Sequence, residues 1–217
     1  MKYYNMEKIF EGVYREKKNI YTKNLIPGKR VYNEKLIRKG KNEYRSWNPY
    51  RSKMAAAIIK KLKFFPIGKK SRVLYLGVAN GTTASHFSDI AINGMIYGVE
   101  ISFKPMKNFL MLCKERENML PIIADANKPE KYECMIEEID TIYQDIAQKN
   151  QIEIFLKNME KFNAEHGILM IKARSIDISM KPDKIFDMVK KEIEEHYEIK
   201  QSIVLNPFAK DHIAIFV

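Results

Sequence analysis

The stretch Val73-Leu74-Tyr75-Leu76-Gly77-Val78-Ala79-Asn80-Gly81-Thr82-Thr83-Ala84-Ser85-His86 reads as a buried strand, a glycine turn and the start of a helix. Val73, Leu74 and Leu76 form a short apolar run with a β-branched member, and Gly77 closes it. Gly77 and Gly81, with small Ala79 between them, allow a tight turn and a close approach of the backbone to a ligand. Thr82 and Thr83 are candidates to cap the following helix, whose first N–H groups then face the contents of the turn. About eighteen residues past Thr82, Ile96-Tyr97-Gly98-Val99-Glu100 is a second strand ending in an acid, the place from which a ribose diol is held. Together these describe a site for an adenosine-containing cofactor. The pattern is G-x-A-x-G, not the dinucleotide G-x-G-x-x-G, and no G-x-x-x-x-G-K-[ST] is present, which disfavours a nucleoside triphosphatase. The turn does not choose between NAD and S-adenosylmethionine.

Outward from this stretch the chain alternates strand and helix. Strands are expected at 72–76, 95–100, 119–124, 139–144, 167–172, 197–204 and 212–217. Helices are expected at about 82–92, 104–117, 129–137, 149–163 and 182–195. The alternation ends in two strands with no helix between them, which predicts a largely parallel sheet covered on both faces, with an antiparallel final strand. Ahead of it, Arg51 to Leu62 reads as a helix following Asn48-Pro49, with Met54, Ala57, Ile58 and Leu62 on one face. Earlier still lie short β-like runs, Ile9–Tyr14, Asn19–Thr22 and Lys29–Tyr32, punctuated by Pro27-Gly28 and Gly40. The expected organisation is a small basic antiparallel β unit over 1–50 and an α/β unit over 51–217.

Composition bounds the function. With 217 residues, 46% of them hydrophobic, the chain can bury one sizeable core and a small appendage. Cys113 and Cys134 lie far apart without metal-ligand spacing and read as inert buried thiols of a reducing compartment. No apolar run has membrane-spanning length and the first residues are polar and charged, so neither a membrane helix nor a signal peptide is expected. The net charge of +11 is uneven: residues 1–72 hold 21 Lys+Arg against 5 Asp+Glu, and the remainder holds 17 against 22. That asymmetry points the N-terminal third at a polyanion. Tyr14, Tyr21, Tyr32, Tyr44, Trp47 and Tyr50 are interleaved with its cations, a mixture suited to RNA, although some of these rings must form the unit's own core. His86, His166 and His196 read as structural or exposed, and Met106, Leu110 and Met111 as core packing.

Strand ends supply the chemistry, because ligands of open α/β sheets sit at the carboxyl ends of the strands. The third strand ends at Asp125-Ala126, where the acid suits an adenine amino group and the small residue lets a ring lie flat. The fourth ends at Asp145 and the fifth at Lys172, neighbours across the edge of the sheet. Such a pair is commonly a structural salt bridge; beside a cofactor turn it is a candidate active site.

These blocks carry a family resemblance. Gly77–His86, Asp145-Ile146-Ala147-Gln148, Lys172-Ala173-Arg174-Ser175-Ile176-Asp177 and Lys210-Asp211-His212 resemble fibrillarin in its archaeal-type form. So does Arg45-Ser46-Trp47-Asn48-Pro49-Tyr50-Arg51-Ser52-Lys53. The resemblance runs from about residue 7 to the C-terminus, with departures at Asn80 and Gln144. It implies a class I (Rossmann-like) methyltransferase fold and S-adenosyl-L-methionine as cofactor. The implied activity is guide-RNA-directed 2′-O-methylation of ribose in rRNA, and in tRNA, within a box C/D ribonucleoprotein. The implied partners are the guide and target RNAs, a Nop-type scaffold protein and a kink-turn-binding subunit of ribosomal-protein type, with no membrane. The implied location is cytoplasmic, or nucleolar in a eukaryote.

Carried over by motif, the cofactor contacts fall on Thr82, Thr83, Glu100, Ile101, Asp125, Ala126, Asp145, Ile146, Ala147 and Gln148, beside Gly77, Ala79 and Gly81 of the turn. The Lys-Asp-Lys-His set falls on Lys53, Asp145, Lys172 and His212, with no metal. A ribose 2′-hydroxyl must lose its proton as it attacks a methyl sulfonium, and Lys172 is the candidate to take it or to stabilise the alkoxide. To take it, the amine must be uncharged, which burial or neighbouring cations favour and an adjacent Asp145 opposes. Lys53 and His212 are then expected to position the ribose and its phosphates. A stand-alone FtsJ-like ribose methyltransferase and a non-catalytic RNA-binding scaffold are the alternatives.

Overall fold

The computed structural model describes residues 6–217, so the first five residues of the expected N-terminal unit lie outside the described residues. Two sheets follow one another along the chain. The first has the order β1-β2-β3-β5-β4 and is antiparallel throughout. Its strands are β1 (Glu7–Phe10), β2 (Val13–Glu16), β3 (Asn19–Lys23), β4 (Leu36–Lys39) and β5 (Asn42–Ser46). Three of its connections are two-residue turns, each holding one residue in the left-handed region: Gly12 (φ 70°), Lys17 (φ 56°) and Gly40 (φ 58°). Gly12 therefore splits the expected run Ile9–Tyr14 into a hairpin. The expected strand at Lys29–Tyr32 is a loop instead. Two of its N–H groups go to a side chain, not to a ladder: the Glu34 carboxylate accepts from Val31 at 3.0 Å and from Tyr32 at 2.8 Å, while the Lys29 N–H closes a turn onto the Ile26 carbonyl at 3.1 Å.

The second sheet has the order β11-β12-β10-β9-β6-β7-β8. It comprises β6 (Arg72–Leu76), β7 (Met95–Glu100), β8 (Met119–Ile123), β9 (Thr141–Gln144), β10 (His166–Lys172), β11 (Gln201–Val204) and β12 (His212–Phe216). β12 runs against the other strands of this sheet; it lies between β10 and β11 and pairs antiparallel with both. The sheet is buried on two faces, and strand alternation divides its side chains between two cores. Val73, Tyr75, Ile168, Met170, Ala214 and Phe216 face one core, which they share with helices α1 (Lys53–Ile59), α2 (Thr82–Ile90) and α3 (Phe103–Glu115). Leu74, Leu76, Leu169, Ile171, Ile213 and Ile215 face the other, with α4 (Gln151–Phe162), the short α5 (Ala173–Ile176) and α6 (Pro182–Glu194). The helix expected at 129–137 is replaced by two 3₁₀ turns, Pro129–Lys131 and Glu133–Met135.

The first sheet is bolted to α2 by buried charge. Arg45 on β5 is fully buried and bonds Glu34 at 2.6 Å, Asp89 at 2.8 Å and the Ser85 hydroxyl at 2.9 Å. Asp89 also accepts from Arg116 at 2.8 Å, from Thr22 at 2.7 Å and from the Leu25 N–H at 3.1 Å. His86, stacked on Trp47 with ring centroids 4.8 Å apart, reaches Thr22 through Nδ1 at 2.7 Å and Tyr32 through Nε2 at 2.8 Å. Thr22 spends its one hydroxyl proton on Asp89, so His86 Nδ1–H donates to Thr22, and Nε2 is left as an acceptor that shares the Tyr32 hydroxyl proton with the Ser46 carbonyl 3.0 Å from it. That is the neutral imidazole. Burial, then the neighbouring Arg45 and Arg116, hold the His86 pKa well below its ordinary value.

This packing corrects several expectations. Tyr21, Tyr44 and Trp47 are core and Tyr32 is tied into the His86 network, so of the six interleaved rings only Tyr50 is exposed. Cys134 is exposed rather than buried, while Cys113 is half-buried with its thiol pushed up to about 12 by burial. Met106 is core, but Leu110 and Met111 face outward. Among the described residues no helix is long and apolar enough to cross a membrane.

Candidate functional site

A cleft of about 280 Å³ opens above the carboxyl ends of β6, β7, β8 and β9. Its floor is the turn after β6. Gly77 (φ 78°) and Ala79 (φ 49°) are both left-handed, and the N–H groups of Gly77 and Val78 bond the Val99 carbonyl at 2.9 and 3.1 Å. A Cβ on Gly77 would lie 2.6 Å from the Asp145 carbonyl oxygen, so only glycine lets the turn pass under the end of β9. Glu100 ends β7 and its carboxylate accepts from the N–H groups of Ala79 (3.1 Å) and Ser102 (2.8 Å), which fixes the acid at the rim. Asp125, after β8, accepts from the side chain and the backbone N–H of Asn127 at 2.9 and 3.0 Å; those two bonds, the side-chain one first, hold its carboxyl below the usual range. Ile101, Ala126, Ile146, Ala147 and Gln148 complete the wall with Asp145.

Three expected members are elsewhere. Gly81, Thr82 and Thr83 do not line the cleft. The threonines do not cap α2 either: Gly81 is the N-cap at φ 78° with no side-chain cap, and Thr82 and Thr83 lie inside the helix. A Cβ on Gly81 would meet Phe109 at 2.6 Å, not a ligand. The Thr83 hydroxyl donates to Ser52 at 2.9 Å, and Ser52 caps α1. The turn thereby holds two helix starts together.

Lys53 is the first residue of α1, and its ammonium straddles the Asp145 carboxylate at 2.7 and 2.9 Å. The expected partner of Asp145 was Lys172. Lys172 ends β10, is exposed, and has no carboxylate within ion-pair distance among the described residues. His212 begins β12 directly opposite Lys172 in the β10–β12 register. Its Nδ1 lies 2.6 Å from the Lys210 carbonyl. Burial lowers the His212 pKa, with Lys53 and Lys172 adding to the effect against the Lys210 carbonyl and Asp145. The imidazole is then neutral near pH 7, donating from Nδ1 and keeping Nε2 as an acceptor.

Asp145 also forms part of a second, smaller cavity of about 180 Å³, walled by Tyr50, Ser52, Lys53, Thr83 and Phe208. Asp145 thus lines two chambers, one beside the glycine turn and one at the start of α1, and its partner Lys53 lines the second. Gln151, fully buried at the start of α4, accepts from the Lys172 N–H at 3.1 Å and donates to the Gln148 carbonyl at 2.8 Å, tying the end of β10 to the cleft wall. Sequence reasoning missed Gln151, Asn127, Tyr50 and Phe208 as parts of the site. Only Ser52, a polar residue just ahead of an apolar helix, carried a readable signal. Among the described residues no cluster of His, Cys, Asp and Glu is arranged to hold a metal ion.

Known proteins resemble this arrangement over the whole chain. The family model described as Fibrillarin matches residues 2–217. A Methanocaldococcus jannaschii protein named fibrillarin-like rRNA/tRNA 2′-O-methyltransferase is 45% identical over 216 residues, covering 96% of this chain and 94% of the relative. The crystal structure of Aeropyrum pernix fibrillarin with natively bound S-adenosyl-L-methionine superposes with a TM-score of 0.84 at 42% identity, covering 94% of this chain and 92% of that one. The crystal structure of a fibrillarin/Nop5p complex matches with a TM-score of 0.90 at 43% identity, covering 97% and 98%.

Proposed function

The chain belongs to the fibrillarin family, and from that premise we propose that it transfers a methyl group from S-adenosylmethionine to ribose 2′-hydroxyls of rRNA and tRNA. The observation that carries this reading is Asp145, paired with Lys53 and lining two chambers, with Lys172 and His212 at neighbouring strand ends. A methyltransferase needs that partition, since donor and acceptor enter from opposite sides of the reacting atoms.

The cleft suits an adenosine-bearing donor. Its glycine turn passes close under the end of β9, Glu100 offers a carboxylate at the ribose position, and Asp125 with Ala126 frames a flat slot. Bound there, S-adenosylmethionine supplies a methyl group made electrophilic by its sulfonium. The remaining chemistry belongs to the chain. Asp145 turns one carboxylate toward the cleft mouth and keeps Lys53 fixed; Lys53 in turn directs a positive charge at the acceptor's oxygens. Lys172, exposed and with no carboxylate partner among the described residues, holds its ammonium against the emerging alkoxide while the 2′-hydroxyl proton passes to water. Neutral His212 accepts a ribose hydroxyl through Nε2.

The isolated chain has nothing with which to choose one ribose among thousands. We therefore place it as the catalytic subunit of a guided ribonucleoprotein, with a Nop-type scaffold, a kink-turn-binding protein and a guide RNA. The Nop5p complex of a relative supports the scaffold. The archaeal sources of the relatives support a cytoplasmic location. The test is methyl transfer from labelled S-adenosylmethionine to a target RNA, with and without those partners. Transfer should appear at one nucleotide only when all are present. Efficient, site-specific methylation by the chain alone overturns the guided reading in favour of a stand-alone ribose methyltransferase.

A further inference from the structure

The last pair of the β9–β10 ladder is Gln144 opposite Leu169, and β10 runs on past it to Lys172. On the β12 side the Ala173 N–H reaches the Asp211 carbonyl at 3.0 Å. Neighbouring residues of a strand turn their backbone groups to opposite sides. The N–H and carbonyl of Lys172 therefore point away from β12, into the space beyond the end of β9. The Gln151 amide fills that space. It accepts from the Lys172 N–H at 3.1 Å, and its NH₂ reaches the Gln148 carbonyl at 2.8 Å and the Lys172 carbonyl at 3.4 Å. A primary amide carries both the donor and the acceptor of a peptide group, so Gln151 continues the ladder where the strand has stopped. Its own backbone is held from β9: Gln144, the residue before Asp145, donates from Nε2 to the Gln151 carbonyl at 2.5 Å. Both glutamines are fully buried.

We infer that Gln151 is a positioning residue for methyl transfer, acting through the backbone of Lys172 and anchored by Gln144 to the strand that carries Asp145. The inference deepens the methyl-transfer reading above and rests on it. An enclosed amide is retained where its hydrogen bonds are made, and the three that this side chain makes fall on Lys172 and Gln148, outside its own helix. Gln148 lines the cofactor cleft, so one side chain ties the cleft wall to the lysine. Because the Ala173 N–H bonds Asp211, the Lys172–His212 pair is of the kind without ladder hydrogen bonds, in which side chains lie closest. A shift of the Lys172 backbone therefore moves the lysine against the histidine as well as against Asp145. Misplacing a reacting group by about 1 Å costs on the order of 100-fold in rate.

The experiment compares wild type with Gln151→Met, which keeps the length of the side chain and removes the amide, in the complex reconstituted with scaffold, kink-turn protein and guide. Rates are expressed per cofactor site titrated by calorimetry, so unfolded protein does not count. The variant's kcat should fall about tenfold to a hundredfold while KM for the target RNA stays within about twofold. In the free chain, hydrogen exchange read by NMR should speed up about tenfold or more at the Lys172 amide and stay within about twofold at the Ala173 amide, which bonds on the β12 side. Gln151→Asn serves if the methionine variant does not fold: it keeps the amide, withdraws it by one methylene and should give the same split. Ser88→Ala removes a buried hydroxyl bonded to Asn118 at 2.7 Å and Arg116 at 3.0 Å, away from the site. It should lower the thermal midpoint and leave kcat per site within about twofold. An active wild type matched in kcat per site by the Gln151 variants overturns the inference and leaves the methyl-transfer reading standing. Exchange that quickens equally at Lys172 and Ala173 overturns it too. A wild-type complex that transfers no methyl group defeats the methyl-transfer reading, and this role with it.

Discussion

At Asp145 one carboxylate meets one ammonium through both oxygens, and the lysine comes from 92 residues earlier in the chain. That pairing decides how substitutions should divide. Lys172→Ala removes the group proposed to act on the ribose, so methyl transfer in the reconstituted complex should be abolished while calorimetric cofactor affinity stays within about twofold; near wild-type turnover would exclude Lys172 from the chemical step. Asp145→Ala removes a residue that walls both chambers and frees Lys53, so turnover and cofactor affinity should fall together. Gly81→Val acts differently from what the motif suggests. Its left-handed φ of 78° and a Cβ 2.6 Å from Phe109 put the cost in the fold. Denaturant unfolding should show about 2–4 kcal/mol lost, the sum of a left-handed β-branched residue and an overpacked helix contact. The positions of Asp125, Asp145 and Lys172 were legible because topology puts strand ends along one edge, whereas His212 came from the family resemblance alone. Their partners were not: nothing along the chain tells Asp145 that Lys53, not Lys172, will reach it.

Elements were legible where a single periodicity governs them. The strands of the second sheet carry apolar side chains on both faces, and β6, β7 and β10 fall within a residue of their expected bounds. Reading failed where side chains compete with the ladder, as Glu34 does at Lys29–Tyr32, or where a polar segment has no buried stripe, as at 129–137. His86, read together with His166 and His196 as structural or exposed, is structural: it holds the first sheet onto α2, a role that nothing in its local sequence singles out. Arg45→Met should cost about 3–5 kcal/mol in chemical denaturation, because Glu34 and Asp89 keep their buried charge and lose a partner. Breaking the exposed Lys29–Glu115 pair should cost less than about 1 kcal/mol. His86 adds a pH dependence whose sign is fixed. Its folded pKa lies well below 6.5, so as pH falls through about 6.5 the unfolded chain takes up a proton that the native chain refuses. The stability from neutral His86 is full above that pH and is lost below it. Thermal unfolding midpoints should therefore drop between about pH 7 and pH 5, and His86→Gln should flatten the drop beyond what His166 and His212, also lowered, contribute. A variant with the same slope as wild type would remove His86 from this account.

Across the whole molecule the charge is divided: residues 1–72 carry 21 cations against 5 acids, and the remainder carries 17 against 22. The methyltransferase sheet is left with a net acidic share, and the cations gather on the small sheet and around the two ends of α1. Such a field draws RNA toward the small sheet, and it does so without regard to sequence. Affinity from phosphate contacts alone falls steeply with salt, and it gives no preference for one ribose. The isolated chain should therefore bind unrelated RNAs with nearly equal affinities that collapse together between about 50 and 200 mM salt. On the proposed guided reading, selection comes from base pairing to a guide held by other proteins, while the chain contributes position and chemistry. With scaffold, kink-turn protein and guide present, transfer should become specific, and its site should follow the guide: shifting the guide sequence by one nucleotide should move the methyl group by one nucleotide on the same target, as primer extension at low deoxynucleotide concentration would read. A methyl group that stayed in place when the guide changed would mean that this chain reads its target itself, and the division of labour between charge and pairing would have to be abandoned.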